Sequence, residues 1–498
     1  MRKVKFAFVV FFLLLLVLPW FPLPEVQLLG FEDYRHLEPL TRKTIWNGKF
    51  QKAFEAWWIR HFGSRANLLV LKNTLYDNIN FGMFHAGYSG KILQGRNGIL
   101  FERPYVENCF SPISTRIRQH INENVADLVA LRDALEHLDV PLLLIMAPNK
   151  VAYQMDNLPP VWHFLSKHRK VYDPFRLFDL YSTACEWNGI LCVNSPSLLK
   201  QFNVEKYAFP DQGAHWTSYA AGIAWQQATR LLHRRQTERF PEVKLKTMSM
   251  STATMFHERD LADLLNIYPP YSLGCRERAV AEYTPEYPSG WRGLSGISLG
   301  DSFSFQLSAN IALSMYSNVP RFLARDIGII DHPTFFKHLS KADFFVLTYT
   351  ELNLCNQRIH DDVELYLKHI KTVLPVGWHD FDTYKHGQWS CDTSCLHFLN
   401  IYDCDLQFEL SVKEAMSTVG SCAVSINGHF LETLNINKSN LPRKFNVSIS
   451  KAYLKKGENV IAITVDNATV PASYDHHSED MRLLGIFCDA FVITPIKM

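Results

Sequence analysis

Ser302 stands in Leu299-Gly300-Asp301-Ser302-Phe303, directly after the apolar stretch Gly296-Ile297-Ser298 and ahead of a helical pattern. A strand that runs into Gly300, turns sharply and starts a helix at Ser302 would carry its hydroxyl at the carboxyl edge of a parallel sheet. The unpaired N–H groups at the start of that helix could hold an oxyanion. A serine hydroxyl is a weak nucleophile at neutral pH unless a base takes its proton, and that base needs a group to orient it. The segment Phe209-Pro210-Asp211-Gln212-Gly213-Ala214-His215-Trp216-Thr217 supplies both, with Asp211 four residues before His215 and another helix following at once. The chemistry implied is that of a serine hydrolase or acyltransferase: Ser302 as nucleophile, His215 as base and Asp211 as orienting acid. No metal and no cofactor is called for.

The elements that must position these residues alternate. A helical pattern over residues 113 to 138 leads into Val140-Pro141-Leu142-Leu143-Leu144-Ile145-Met146-Ala147, a continuous apolar run of the kind covered on both faces. A helix from Leu177 to Trp187 precedes the short strand Ile190-Leu191-Cys192-Val193, and the helix after Trp216 carries Ala220, Ile223, Ala224, Ala228, Leu231 and Leu232 on one face. Phe344-Phe345-Val346-Leu347-Thr348 reads as a further buried strand. Helices alternating with short apolar strands predict an open α/β sheet with its site at the strand carboxyl ends. Upstream, Asn97-Gly98 between two apolar segments predicts a hairpin, and Phe50, Phe54, Trp57 and Trp58 fall at helical spacing.

The pattern changes near residue 375. Leu406, Phe408, Leu410 and Val412 alternate, as do Cys422, Val424 and Ile426 up to Asn427-Gly428, and then Phe445, Val447 and Ile449. Short strands with turn signals and no helical spacing predict an all-β sandwich over residues 376–498.

The chain has 498 residues, 47% of them apolar, enough for two or three domains each with its own core. Lys and Arg (51) nearly cancel Asp and Glu (49), which argues against a nucleic-acid partner. Arg2, Lys3 and Lys5 precede an apolar run from Phe6 to Pro19 that continues through Trp20, Phe21 and Leu23, with no small-residue cleavage site after it. About nineteen such residues approach the roughly 20 needed to span a bilayer. The expectation is a signal anchor over residues 1–30, with the amino end in the cytoplasm and the remainder outside. Ten cysteines fit an exported chain; Cys185 and Cys192 could staple a turn, whereas Cys391-x-x-x-Cys395 lacks a matching second pair for a metal.

Taken in order, Gly95-Arg96-Asn97-Gly98-Ile99-Leu100-Phe101, Ala147-Pro148-Asn149-Lys150 with Leu158-Pro159, His215-Trp216-Thr217 and Gly300-Asp301-Ser302-Phe303 resemble a known family. It is the SGNH-hydrolase-like domain of the alginate O-acetyltransferase (AlgJ/AlgX-type) family of envelope polysaccharide acetylation proteins. The resemblance runs over roughly residues 40 to 355, within a domain bounded here as 31–375. It implies a flavodoxin-like sheet carrying a Ser-His-Asp triad, anchored in the inner membrane and facing the periplasm. A polysaccharide would be the acceptor and a membrane-bound O-acyltransferase the source of acetyl. The family places its acid two residues before the histidine; Gly213 occupies that position here, which leaves Asp211 as the nearest acid. The sandwich looks like the accessory domain of glycan-handling proteins, similar in class to a carbohydrate-binding module, with Trp378, Trp389 and Arg482 as glycan-binding residues. An esterase of the same fold and a silent glycan-binding scaffold remain as alternatives.

Overall fold

The computed structural model describes residues 79–84, 86–87, 90–168, 175–251, 259–265, 278–284, 293–315, 332–379, 387–470, 482 and 484–496. The anchor expected over residues 1–30 and the helical pattern around Phe50 lie outside them. Among the described residues no helix is long and apolar enough to cross a membrane.

Three short strands, β1 (Ala86–Gly87), β2 (Ile92–Gln94) and β3 (Leu100–Glu102), form an antiparallel sheet. Between β2 and β3 the chain reverses at Arg96–Gly98, where Asn97 and Gly98 both adopt positive φ, as the Asn-Gly signal requires. The parallel sheet follows, in the order β5 (Leu191–Asn194), β4 (Leu142–Ala147), β9 (Phe344–Thr350), β8 (Gly296–Gly300). Its two faces carry separate cores. Leu142, Leu144 and Met146 pack with Phe345 and Leu347 beneath the helices Thr115–His137, Arg176–Trp187 and Arg358–Lys371. Leu143, Ile145 and Val346 pack on the other side with Trp225 and Leu307, from the helices Ser218–Arg235 and Ser304–Met315. An antiparallel pair, β6 (Lys244–Ser251) and β7 (Arg278–Thr284), lies beside this second layer; sequence periodicity did not disclose it.

All six residues of β4 are buried. Each buried Leu or Ile contributes on the order of 2 kcal/mol, so apolar burial holds the strand firmly but does not fix its register. A slip by one residue would only exchange one greasy face for the other. The ends supply what the pattern omits. Gly300 pairs with Thr348 at φ +138°, and a Cβ built on it would stand 2.0 Å from the Thr348 carbonyl oxygen. Only glycine brings β8 this close to β9 at the point where the chain turns towards Ser302.

The last helix of the α/β domain ends at Lys371, and β10 (Leu374–Trp378) opens the all-β region. There β11 (Gln388–Asn400), β12 (Leu406–Ala415), β13 (Ser421–Ile426), β14 (His429–Asn435), β15 (Arg443–Ile449), β16 (Gly457–Val465) and β17 (Ile486–Pro495) make two joined sheets. Strand β11 belongs to both, pairing β16 from Thr393 to Asn400 and β17 at Gln388 and Trp389. The alternating positions Phe408, Leu410, Val424, Ile426, Ile461 and Ile463 share one core between the sheets, which is the sandwich arrangement. The nine described cysteines are free; the Cys185 and Cys192 thiols touch without a disulfide.

Gly300→Ala must move the β9 backbone or unseat β8. We expect it to cost at least about 3 kcal/mol in urea unfolding. A variant within 1 kcal/mol of the native protein would show that the β8–β9 contact is not fixed.

Candidate active site

The site lies at the carboxyl ends of β8 and β9. After Gly300 the chain turns through Asp301, Ser302 and Phe303 into the helix Ser304–Met315. The turn is held by one half-buried carboxylate. Asp301 Oδ2 accepts bonds from Thr350 N (2.7 Å), Thr350 Oγ1 (2.9 Å) and Asn353 Nδ2 (2.8 Å), while Oδ1 accepts from Phe303 N (3.0 Å). Burial raises the Asp301 carboxyl above its ordinary value, and these bonds oppose that rise. Ser302 itself projects outward, exposed.

His215 arrives on the loop before the helix Ser218–Arg235, whose start is capped by Thr217 accepting from Ala220 N. Its Nε2 stands 2.8 Å from Ser302 Oγ, and its Nδ1 stands 2.8 Å from Asp260 Oδ2. The other oxygen of Asp260 accepts from Ala214 N and Leu261 N, each at 2.9 Å, which fixes the carboxylate against the loop it serves. Trp216, fully buried, donates from Nε1 to the Phe303 carbonyl at 2.9 Å. The residues flanking nucleophile and base are thereby tied together. The Phe303 ring lies 4.7 Å from the imidazole, centroid to centroid.

Of the three residues expected from the sequence, the structure brings together Ser302 and His215. The carboxylate at Nδ1 is that of Asp260, not Asp211. Asp211 is held by its main chain, its carbonyl accepting from Leu100 N at 2.9 Å and from Lys150 Nζ at 3.0 Å. Asp260 opens the short helix Asp260–Leu264, forty-five residues beyond His215, and so answers for the acid that Gly213 lacks. Its only local signal is an acidic residue at the head of Leu261-Ala262-Asp263-Leu264-Leu265, a common helix start. A further carboxyl, Glu102 at the end of β3, is pushed up by burial and by Asp260 and pulled down by His215.

Two buried residues at the end of β4 also reach the site. Asn149 donates to Glu351 Oε2 at 2.9 Å, and Lys150 is buried beneath the His215 loop. Burial pushes the Glu351 carboxyl up to about 7 and pulls the Lys150 ammonium down to about 7.

In the sandwich, Trp378 pairs across the sheet with Ser390, whereas Trp389 is the neighbour of Ser390 on β11. Paired residues share a face and successive ones do not, so the two indoles lie on opposite faces. Trp378 packs into the core with its ring 4.7 Å from that of Phe491, and Trp389 leans on Phe487 at 5.3 Å. They do not form one platform for a sugar. Arg482 is exposed at a bend.

With this geometry in view, residues 92–302 match the family model described as the SGNH hydrolase-like domain, acetyltransferase AlgX. The chain therefore carries an SGNH-hydrolase-like α/β domain, and the matched stretch contains His215, Asp260 and Ser302. Among solved structures, the O-acetyltransferase domain of Pseudomonas putida AlgJ is 16% identical with a TM-score of 0.38, over 55% of this chain and 98% of that one. Pseudomonas aeruginosa AlgX is 12% identical with a TM-score of 0.37, over 82% of this chain and 95% of that one. A family 35 carbohydrate-binding module from an environmental isolate is 14% identical with a TM-score of 0.17, over 26% of this chain and 98% of that one. No curated protein matches the chain. Likeness at this distance adds nothing to what the site itself shows.

Glu351 generates a test of stability against pH. Its carboxyl rises from 4.5 to about 7 in the fold, so between these values the native state keeps a proton that the unfolded chain has released. Stability from this group therefore falls as pH rises through that window, by roughly 3 kcal/mol in total. Glu351→Gln, neutral throughout, should lose correspondingly less stability between pH 5 and pH 7.5 in urea unfolding. Parallel profiles for variant and native protein would rule the assignment out.

Proposed function

We propose that this chain is an O-acetyltransferase that works through an acetyl-Ser302 intermediate on an envelope or exported polysaccharide. The observation that carries this reading is the unbroken line from Asp260 through His215 to Ser302, with both contacts at 2.8 Å. The acetyltransferase description of the matching family supports it.

The steps follow from the atoms. Nδ1–H donates to Asp260, which leaves the Nε2 lone pair facing the serine hydroxyl. Ser302 Oγ attacks the acetyl carbonyl as Nε2 takes its proton, and the Ser302 N–H, two residues before a helix, faces the developing oxyanion. Collapse expels the donor's alcohol or thiol, which receives the proton from His215, and an ester remains on Ser302. A sugar hydroxyl then attacks that ester while His215 takes its proton and returns it to Ser302. No step needs a metal or a nucleotide.

The apolar run behind Arg2, Lys3 and Lys5 supports an inner-membrane anchor with the site in the periplasm. In that position a membrane-bound O-acyltransferase could deliver acetyl. The sandwich would hold the polysaccharide, on a surface other than a joint Trp378 and Trp389 platform. One observation favours a second reading: Ser302 is exposed, so water can reach the ester as readily as a sugar can, and the product would then be free acetate.

Purified protein with an activated acetyl ester separates these outcomes. Acetylated oligosaccharide that appears only with Ser302 intact supports transfer; acetate release indifferent to any acceptor, with deacetylation of native polymer, makes the protein an esterase. Within either reaction, Ser302→Ala should abolish turnover and Asp260→Asn should lower kcat by about 10⁴, as loss of the orienting acid does in other triads. Asp211→Asn should stay within a few-fold of native. A severe Asp211→Asn defect beside a mild Asp260→Asn one would return the orienting role to Asp211.

A further inference from the structure

Lys150 is 5% exposed, and it takes no part in the steps above. Its Nζ donates to three main-chain carbonyls, those of Pro210 (2.7 Å), Asp211 (3.0 Å) and Gly213 (2.9 Å). An ammonium has three donors, and here each is used. The Phe101 ring lies 5.5 Å from Nζ. Three carbonyls from a four-residue stretch converge on one point only where donors stand to meet them, because their negative ends otherwise repel and, once buried, go unsatisfied. The curl of the loop at residues 210–213 is thus built around Lys150, and His215 follows two residues later. The Asp211 and Asp260 carboxylates help to keep the ammonium charged against its burial.

The adjacent residue reaches the other half of the site. Asn149 accepts from Val151 N at 2.9 Å and donates to Glu351 at 2.9 Å. Glu351 directly follows Thr350, whose N–H and hydroxyl hold Asp301, and Asp301 holds the turn that presents Ser302. One dipeptide at the end of β4 is therefore linked to the base through Lys150 and to the nucleophile through Asn149.

We propose that Asn149-Lys150 is a brace that sets the separation of His215 and Ser302, and that Lys150 is the positioning residue of the base. The proposal rests on the Ser302–His215–Asp260 reading of the site. All three Lys150 donors are taken by carbonyls of the His215 loop, so removing it should act by misplacing the imidazole, with little change in substrate binding. A misplacement of about 1 Å can cost on the order of 10²-fold in rate.

The test compares full-length native protein with Lys150→Met, Lys150→Gln and Ser302→Ala, using 4-nitrophenyl acetate. Three quantities are read: kcat, KM, and the low-field proton resonance of His215 Nδ1–H, assigned by its loss in Asp260→Asn. Lys150→Met should lower kcat by about 10²-fold with KM within twofold, and should shift or abolish the resonance. Lys150→Gln, which keeps two of the donors, should fall between the two, and it serves in place of the methionine variant if that one does not fold. A folded Lys150 variant with kcat within threefold of native, or a slow one whose resonance is unmoved, overturns the brace. Turnover surviving in Ser302→Ala overturns the reading of the site instead.

Discussion

A single half-buried carboxylate makes the arrangement possible. Asp301 accepts four bonds from three residues, and these lock the end of β8 to the end of β9 at the point where the chain leaves the sheet. Bonds to a charged acceptor are about twice as strong as neutral ones, and burial spares them the competition of water. The turn after Gly300 is thus rigid before any substrate arrives, and Ser302 owes its direction to a neighbour that never touches the reacting atoms. The remaining elements meet this fixed point. The His215 loop is tied to it through Trp216 and the Phe303 carbonyl, and Asp260 is tied to the loop through Ala214.

Electrostatically the site is a cluster of acids around one histidine. Asp260, Glu102 and Asp301 lie on different elements, and each has a different surrounding. Asp260 is bonded to His215 and two main-chain N–H groups, Asp301 is committed to the turn, and Glu102 is raised by burial. Dissimilar surroundings let neighbouring carboxyls take separate tasks within a few ångströms. Among the described residues the one buried Lys or Arg is Lys150, which spends its hydrogen bonds on carbonyl oxygens and leaves the Asp260 oxygens to His215 and the main chain.

What the sequence disclosed follows from the range of the forces involved. The β4 run, the helix ahead of it, the hairpin at Asn97-Gly98 and the alternation in β12 and β13 rest on local periodicity, and each is present in the fold. Ser302 and His215 were legible because each sits in a compact turn before a helix. Asp260 was not, because its role depends on a contact across forty-five residues, and short-range reasoning preferred the nearer Asp211. The placing of Trp378 and Trp389 was illegible for a related reason: the β10–β11 register puts them on opposite faces, and register is a property of pairing that neither strand carries alone.

Strand β11 ends in Leu399 and Asn400, and Ile401 and Tyr402 follow at once. Leu399 and Ile401 are buried in the cluster that also holds Val363 and Ile370 of the helix Arg358–Lys371, whereas Tyr402 leans on that cluster and on the sandwich core alike. The two domains therefore share side chains across their seam and are not beads on a flexible tether. Melting either one strips apolar contacts from the other, so the described body should come apart on heating in one cooperative transition, with the calorimetric and van 't Hoff enthalpies in agreement.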